Sequence, residues 1–227
     1  MSTALFWDID GTLLTTARAG VFSLEDALEQ VSGVRVELTD TVTAGLTDYA
    51  IAENALRSVG HPADEPSVRT FLRIHGEQLA DYLPRRKGHV MPGVREVLED
   101  LSDRDDVVNL LLTGNIEAGA WAKLGYYGLD GYFPAGGAFC AGPGEREEIA
   151  RRARALADGA EQLYVIGDTP HDIAAGKAVG ARTIAVATGS YAAEELARSE
   201  PWVVLERIPE PAEFRRLVGL PARVERR

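Results

Sequence analysis

Residues 4–14 read Ala4-Leu5-Phe6-Trp7-Asp8-Ile9-Asp10-Gly11-Thr12-Leu13-Leu14. The first four are apolar without a break, the pattern of a short strand covered on both faces, as inside a parallel sheet. Two carboxylates follow at i and i+2. Alternate residues of an extended chain share a face, so Asp8 and Asp10 can meet one ligand. Gly11 lets the backbone turn sharply after them. Two acids this close repel unless a cation sits between them or one keeps a proton. A turn with helix-capping Asp residues would also show two acids, but it would need no apolar strand before them and no Gly-Thr after.

Similar apolar runs recur at Val107–Leu112, Leu163–Ile166, Thr183–Val186 and Trp202–Leu205. Helical stretches lie between them at Val94–Leu101, Glu117–Leu124, Arg146–Leu156, Asp172–Val179, Ala192–Ala197 and Pro211–Leu217. This alternation predicts an α/β fold, a parallel sheet with helices on both faces. One segment breaks the rhythm. From Thr16 to Val90 the chain reads as successive helices, at Val21–Val31, Asp48–Val59 and Pro66–Leu83, with turns such as Gly60-His61-Pro62 between them. Roughly 75 residues are too many for a loop. The expected organisation is therefore a core domain of residues 1–15 and 91–227, and a small helical domain of residues 16–90.

Open parallel sheets bind ligands outside the carboxyl ends of their strands. Thr113-Gly114-Asn115 follows Val107–Leu112. A hydroxyl and exposed backbone N–H groups before a helix make an anion cradle, although the same tripeptide suits a turn and cap. Gly167-Asp168-Thr169-Pro170-His171-Asp172 follows Leu163–Ile166. Asp172 could be a helix N-cap, but that leaves Asp168 unexplained. Four carboxylates gathered at three strand ends cannot all ionise without a counter-charge. A hard divalent cation resolves this, and Mg²⁺ suits a site that also holds phosphate.

The wider composition excludes several classes. Lys and Arg number 24 against 35 Asp and Glu, a net charge of −11, which argues against nucleic acid as a partner. No apolar run approaches a membrane span, and the N-terminus has no secretory pattern. The single cysteine, Cys140, allows no intramolecular disulfide and fits a reducing compartment, so a cytoplasmic location is expected. No Gly-x-Gly-x-x-Gly follows a strand and no Gly-x-Ser-x-Gly occurs, against dinucleotide and serine-hydrolase chemistry. His61, His75, His89 and His171 show no metal-ligand spacing. His75 reads as a packed or surface helix residue, and Trp7 as sheet packing.

Asp8-Ile9-Asp10-Gly11-Thr12-Leu13, Thr113-Gly114-Asn115 and Gly167-Asp168-Thr169-Pro170-His171-Asp172 resemble, in this order, the first, second and fourth motifs of the haloacid dehalogenase superfamily. The helical insertion resembles the cap of its phosphoglycolate phosphatase-like branch, and Gly45-Leu46-Thr47-Asp48 is similar to an element of such caps. The resemblance implies a Rossmann-like three-layer core with an inserted α-helical cap. It also implies a Mg²⁺-dependent phosphatase acting on a small phosphorylated metabolite through an aspartyl-phosphate. In that reading Asp8 is the nucleophile and Asp10 the general acid and base. The metal is held by Asp8, the Asp10 carbonyl, Asp168 and Asp172, and the phosphoryl group by Thr113, Gly114, Asn115 and Arg146. Thr47 and Asp48 are either cap residues near the substrate or a helix N-cap pair. The third motif departs from the branch: Gly142-Pro143-Gly144-Glu145-Arg146 stands where a Lys-Pro is usual. Arg146 is the replacement cation, with Lys123 a second candidate. A phosphomutase of the β-phosphoglucomutase type would share every core residue, and a non-catalytic Mg²⁺-binding phospho-acceptor would share the acids. A dehalogenase would lack Asp10.

Overall fold

Strand β1 (Thr3–Trp7) is buried along its whole length. In the computed structural model, which describes residues 2–38, 43–144 and 146–222, it pairs in parallel with β4 (Val107–Ile116) on one side and β6 (Gln162–Gly167) on the other. The sheet continues through β5 (Gly137–Cys140) beyond β4, and through β7 (Arg182–Val186) and β8 (Val203–Leu205) beyond β6. Its order is β5-β4-β1-β6-β7-β8, with every pairing parallel. The chain runs outward from β1 to β5 and then crosses back to β6. The carboxyl ends of β1, β4 and β6 therefore flank the point where strand order reverses, where such sheets open a crevice.

Side chains of β1 alternate between two apolar layers. Ala4 and Phe6 join Leu110, Leu112 and Val165 under α6 (Arg146–Leu156) and α7 (Pro170–Ala178). Leu5 and Trp7 join Leu111 and Ile166 under α4 (Val94–Ser102), α5 (Glu117–Tyr127) and α9 (Pro211–Leu217). Trp7 packs within this second layer: its ring stacks on Phe214 at 5.6 Å, and Nε1 donates to Asn109 Oδ1 at 3.0 Å. The short helix α8 (Ala193–Ala197) lies between β7 and β8.

The helical segment leaves the core through β2 (Leu14–Thr15) and returns through β3 (His89–Val90). These pair antiparallel, Leu14 with Val90 and Thr15 with His89, so both chain crossings lie side by side. Between them are α1 (Ala19–Ser32), α2 (Asp48–Ser58) and α3 (Glu65–Tyr82). Apolar residues of α1, α2 and α3, among them Leu24, Ile51 and Phe71, are continuous with one layer of the sheet.

Three local features differ from the sequence expectation. β4 runs on to Ile116 instead of stopping at Leu112, with a register irregularity between the two. β5 has no counterpart in the expected strands, because Gly-Ala-Phe-Cys is too short and glycine-led to announce one; Gly137 is there so that the backbone can lie against Leu111. α7 starts at Pro170, with Thr169 as its N-cap, so Asp172 is the third helical residue and the reciprocal partner in a capping box.

Candidate active site

Asp8 leaves the end of β1 with its backbone N–H donating to Ile166 O at 3.0 Å, which ties it to the end of β6. Asp168 follows β6 directly. Oxygens of Asp8, Asp168 and Asp172 lie within 4.8 Å of one another, and all three residues are buried. Thr12 Oγ1 donates to Asp168 Oδ1 at 3.1 Å. Gly11 (φ +87°) and Gly189 pass so close to the Asp168 carboxylate that a Cβ at either position would strike it. Both glycines thus leave room for this acid.

Arg146, the first residue of α6, is buried and pairs with Asp8 and, at 2.8 Å, with Asp172 Oδ1. One cation against three buried carboxylates leaves an excess of negative charge. Asp8 is consequently pushed up to about 7, by burial first and by repulsion from Asp172 and Asp10, against the pull of Arg146. Asp168 is pushed up to about 8 by burial and by Asp8 and Asp172. Burial works against the charge on Arg146, but Asp172, Asp8 and Asp168 hold it protonated. Asp172 Oδ1 meets Arg146 without hydrogen-bond geometry and has no hydrogen-bonded partner among the described residues. An all-oxygen set with surplus charge and an uncommitted lone pair fits a hard divalent cation.

Asp10 turns the other way. Its Oδ2 lies 2.5 Å from Lys123 Nζ and accepts from Asn115 Nδ2 at 2.8 Å. Lys123 Nζ also donates to Asn115 Oδ1 at 2.5 Å, and Asn115 Nδ2 to Thr113 Oγ1 at 2.7 Å. Partial withdrawal from water opposes the charge on Asp10, but Lys123 and Asn115 outweigh it and hold this carboxyl below its usual range.

The helical segment covers the site through residues 45–48. Arg146 Nη1 donates to Gly45 O at 3.5 Å, and the Ile116 N–H donates to Asp48 Oδ2 at 2.7 Å. Gly45 (φ +78°) has no room for a side chain beside His171, and a Cβ on Gly114 would lie 2.7 Å from Leu46 O. Beneath this loop is a cavity of about 410 Å³, lined among others by Asp8, Asp10, Asp48, His75, Lys123 and Arg146.

The family model for the haloacid dehalogenase-like hydrolases matches residues 3–180. The chain belongs to this family. It is similar to "Probable phosphatase IndB" of Dickeya dadantii (strain 3937), 28% identical over 215 residues that span 92% of each chain. Among solved structures it is similar to CbbY from Rhodobacter sphaeroides in complex with phosphate (TM-score 0.74, 19% identity, 92% of this chain and 95% of that one). A hydrolase from Pseudomonas syringae is a further match (TM-score 0.72, 18% identity, 96% and 99%). At these identities the structures speak for the fold, a parallel sheet between helical layers.

In this hydrolase the residues singled out from the sequence fall into distinct places. Asp8, Asp168, Asp172 and Arg146 meet in one cluster. Gly114 and Asn115 reach the cavity wall, while Thr113 is fully buried and accepts from Asn115. Asp48 reaches the cavity and the core backbone. Thr47 caps α2, its side chain accepting from Ala50 N at 3.3 Å. Sequence reasoning missed Thr12, Thr188, Gly189 and the contact of Lys123 with Asp10. Thr188 Oγ1 donates to Gly11 O at 2.6 Å. Its position after an apolar strand was a usable signal; Lys123 was named as a second candidate cation, but nothing in its mid-helix position pointed to Asp10. Among the described residues no helix is long and apolar enough to cross a membrane.

Proposed function

We propose that this hydrolase is a phosphatase that cleaves a small phosphate monoester through an aspartyl-phosphate on Asp8, with residues 16–90 acting as its cap. The observation that carries this reading is the meeting of Asp8, Asp168 and Asp172 beside Arg146. Asp8 Oδ attacks phosphorus in line with the leaving oxygen; the P–O bond to the alkoxide breaks as the bond to Asp8 forms. Asp10, held ionised beside Lys123 in the resting site, takes up the proton that a substrate phosphate monoanion brings and passes it to the departing alkoxide. In the second half-reaction Asp10 takes a proton from the water that attacks the acyl phosphate, reversing its role. Arg146 and the backbone N–H at Gly114 would meet the phosphoryl oxygens, while the Asn115 N–H is engaged by Thr113 Oγ1 at 3.3 Å. Asn115 also holds Asp10 in place.

Asp8, Asp168 and Asp172 would hold Mg²⁺, with the Asp10 carbonyl. The ion would supply positive charge to the phosphoryl oxygens and keep Asp8 ionised at neutral pH. The closed loop at residues 45–48 excludes bulk water from the cluster. The reducing, cytoplasmic setting expected from the composition agrees with a free, buried Cys140.

The test is phosphate release from 4-nitrophenyl phosphate and a panel of small phosphometabolites, with and without MgCl₂, and mass spectrometry of the quenched reaction. A phosphoryl increment on the peptide carrying Asp8 and release of inorganic phosphate are expected. Isomerisation without release would mean a mutase, and a stable phospho-protein without turnover would mean a phospho-acceptor.

A further inference from the structure

His75 is 2% exposed, yet it lines the cavity together with Asp10 and Lys123. Two contacts join it to Ser23 on α1. Ser23 Oγ donates to the His75 backbone O at 3.2 Å, and Nδ1 lies 2.9 Å from the same Oγ. A serine hydroxyl has one proton. Only one assignment satisfies both contacts: the hydroxyl proton goes to the carbonyl, and Nδ1–H donates to Oγ. That tautomer leaves Nε2 as an acceptor. Burial, and then Lys123, hold the ring neutral, its pKa brought down to about 3. Among the described residues no hydrogen bond engages Nε2, and the residue lines the cavity. An acceptor without a protein partner is open to a donor, and the cavity is where one can come from.

We propose that His75 Nε2 accepts a hydrogen bond from a hydroxyl on the leaving group, so that the cavity selects polyol or sugar phosphates over phosphorylated carboxylic acids. The proposal rests on the phosphatase reading and names its substrate class. The charge on the wall points the same way. Asp8, Asp10, Asp48 and Asp168 line the cavity against Arg18, Lys123 and Arg146. Arg146 is engaged by Asp8 and Asp172, and Lys123 by Asp10 and Asn115. A phosphate dianion adds negative charge that one divalent cation no more than balances. A further carboxylate would meet an acceptor nitrogen and repulsion, whereas a hydroxyl meets a lone pair. Val21, Leu24, Ile51 and Met91 supply an apolar wall for its carbon chain.

A matched series tests this: glycerol 3-phosphate, 3-phosphoglycerate and propyl phosphate share a three-carbon leaving group and differ in hydroxyl or carboxylate. In the wild type, kcat/KM is expected to be highest for glycerol 3-phosphate. His75→Leu should shrink the glycerol 3-phosphate to propyl phosphate ratio by about tenfold, and His75→Gln, which keeps a neutral acceptor, should restore part of it. If His75→Leu does not fold, Ser23→Ala should lower the same ratio by releasing the tautomer. Wild-type preference for 3-phosphoglycerate, or a ratio unmoved by these substitutions, overturns the assignment. Hydrolysis of 4-nitrophenyl phosphate, abolished by Asp8→Asn, tests the phosphatase reading separately, so the two can fail independently.

Discussion

Lys123 Nζ lies 2.5 Å from Asp10 Oδ2, and the lysine side chain is 6% exposed while the aspartate is 44% exposed. A lysine withdrawn from water needs its counter-charge in good geometry. Asp10 and Asn115 provide it, and in return the ammonium fixes which way the carboxylate points. The acid–base group of the proposed reaction is thus oriented from α5 and not from its own loop.

Lys123→Met should therefore act through Asp10. On an alkyl phosphate, whose leaving group needs a proton, kcat should fall by about 100-fold or more. On 4-nitrophenyl phosphate, whose leaving group needs none, the loss should be much smaller. Steady-state kinetics on the two substrates decide this, and an equal loss on both would count against the role. Asp10→Asn should show the same asymmetry.

Asp8→Asn should lower turnover by at least about 10³-fold, because an amide cannot form the acyl phosphate. Circular dichroism should show the fold kept. Full activity in this variant would refute the nucleophile assignment.

The closed position of the loop at residues 45–48 depends on the absence of a side chain at Gly114. Gly114 has no positive φ to strain, so Gly114→Ala should push on Leu46 O without disturbing β4. A fall in kcat/KM of about tenfold with little change in Tm is the expected result. A large drop in Tm with unchanged kinetics on the remaining folded enzyme would show that the contact is merely structural.

The raised carboxyls set a pH dependence. Asp8 rises from 3.8 to about 7 and Asp168 from 3.8 to about 8, so between about pH 4 and 8 these two acids bind more protons in the metal-free folded state than in the unfolded chain, an excess that His75, brought down from 6.5 to about 3, offsets only in part. Stability must then fall as pH rises through this window. Thermal melts without metal should give a lower Tm at pH 8 than at pH 5. MgCl₂ should restore more stability at pH 8, where ligand oxygens are ionised, than at pH 5, where protons compete. A metal-free Tm that rises from pH 5 to 8 would contradict the crowding of these acids.

The parallel sheet was legible because buried strands such as Ala4–Trp7 and Leu163–Ile166 must be apolar on both faces, and that shows in every residue. The helices of the insertion were legible from their length and turns. β5 was not, since Gly137–Cys140 is a strand by virtue of its pairing with β4 and has little propensity of its own. Nor was the end of β4, where the irregularity at residues 112–116 keeps Thr113-Gly114-Asn115 within the strand.

The sequence by itself determined the fold class and marked acids at strand ends, because burial and chain reversal impose local patterns. Only the tertiary structure decided which groups share charge: Arg146 among Asp8 and Asp172, Lys123 on Asp10, Ser23 on His75. Those partners lie 26 to 138 residues apart in the chain. Hydrogen bonding and Coulomb attraction between buried groups act over a few ångströms of space, and nothing in the local pattern of one partner records the position of the other.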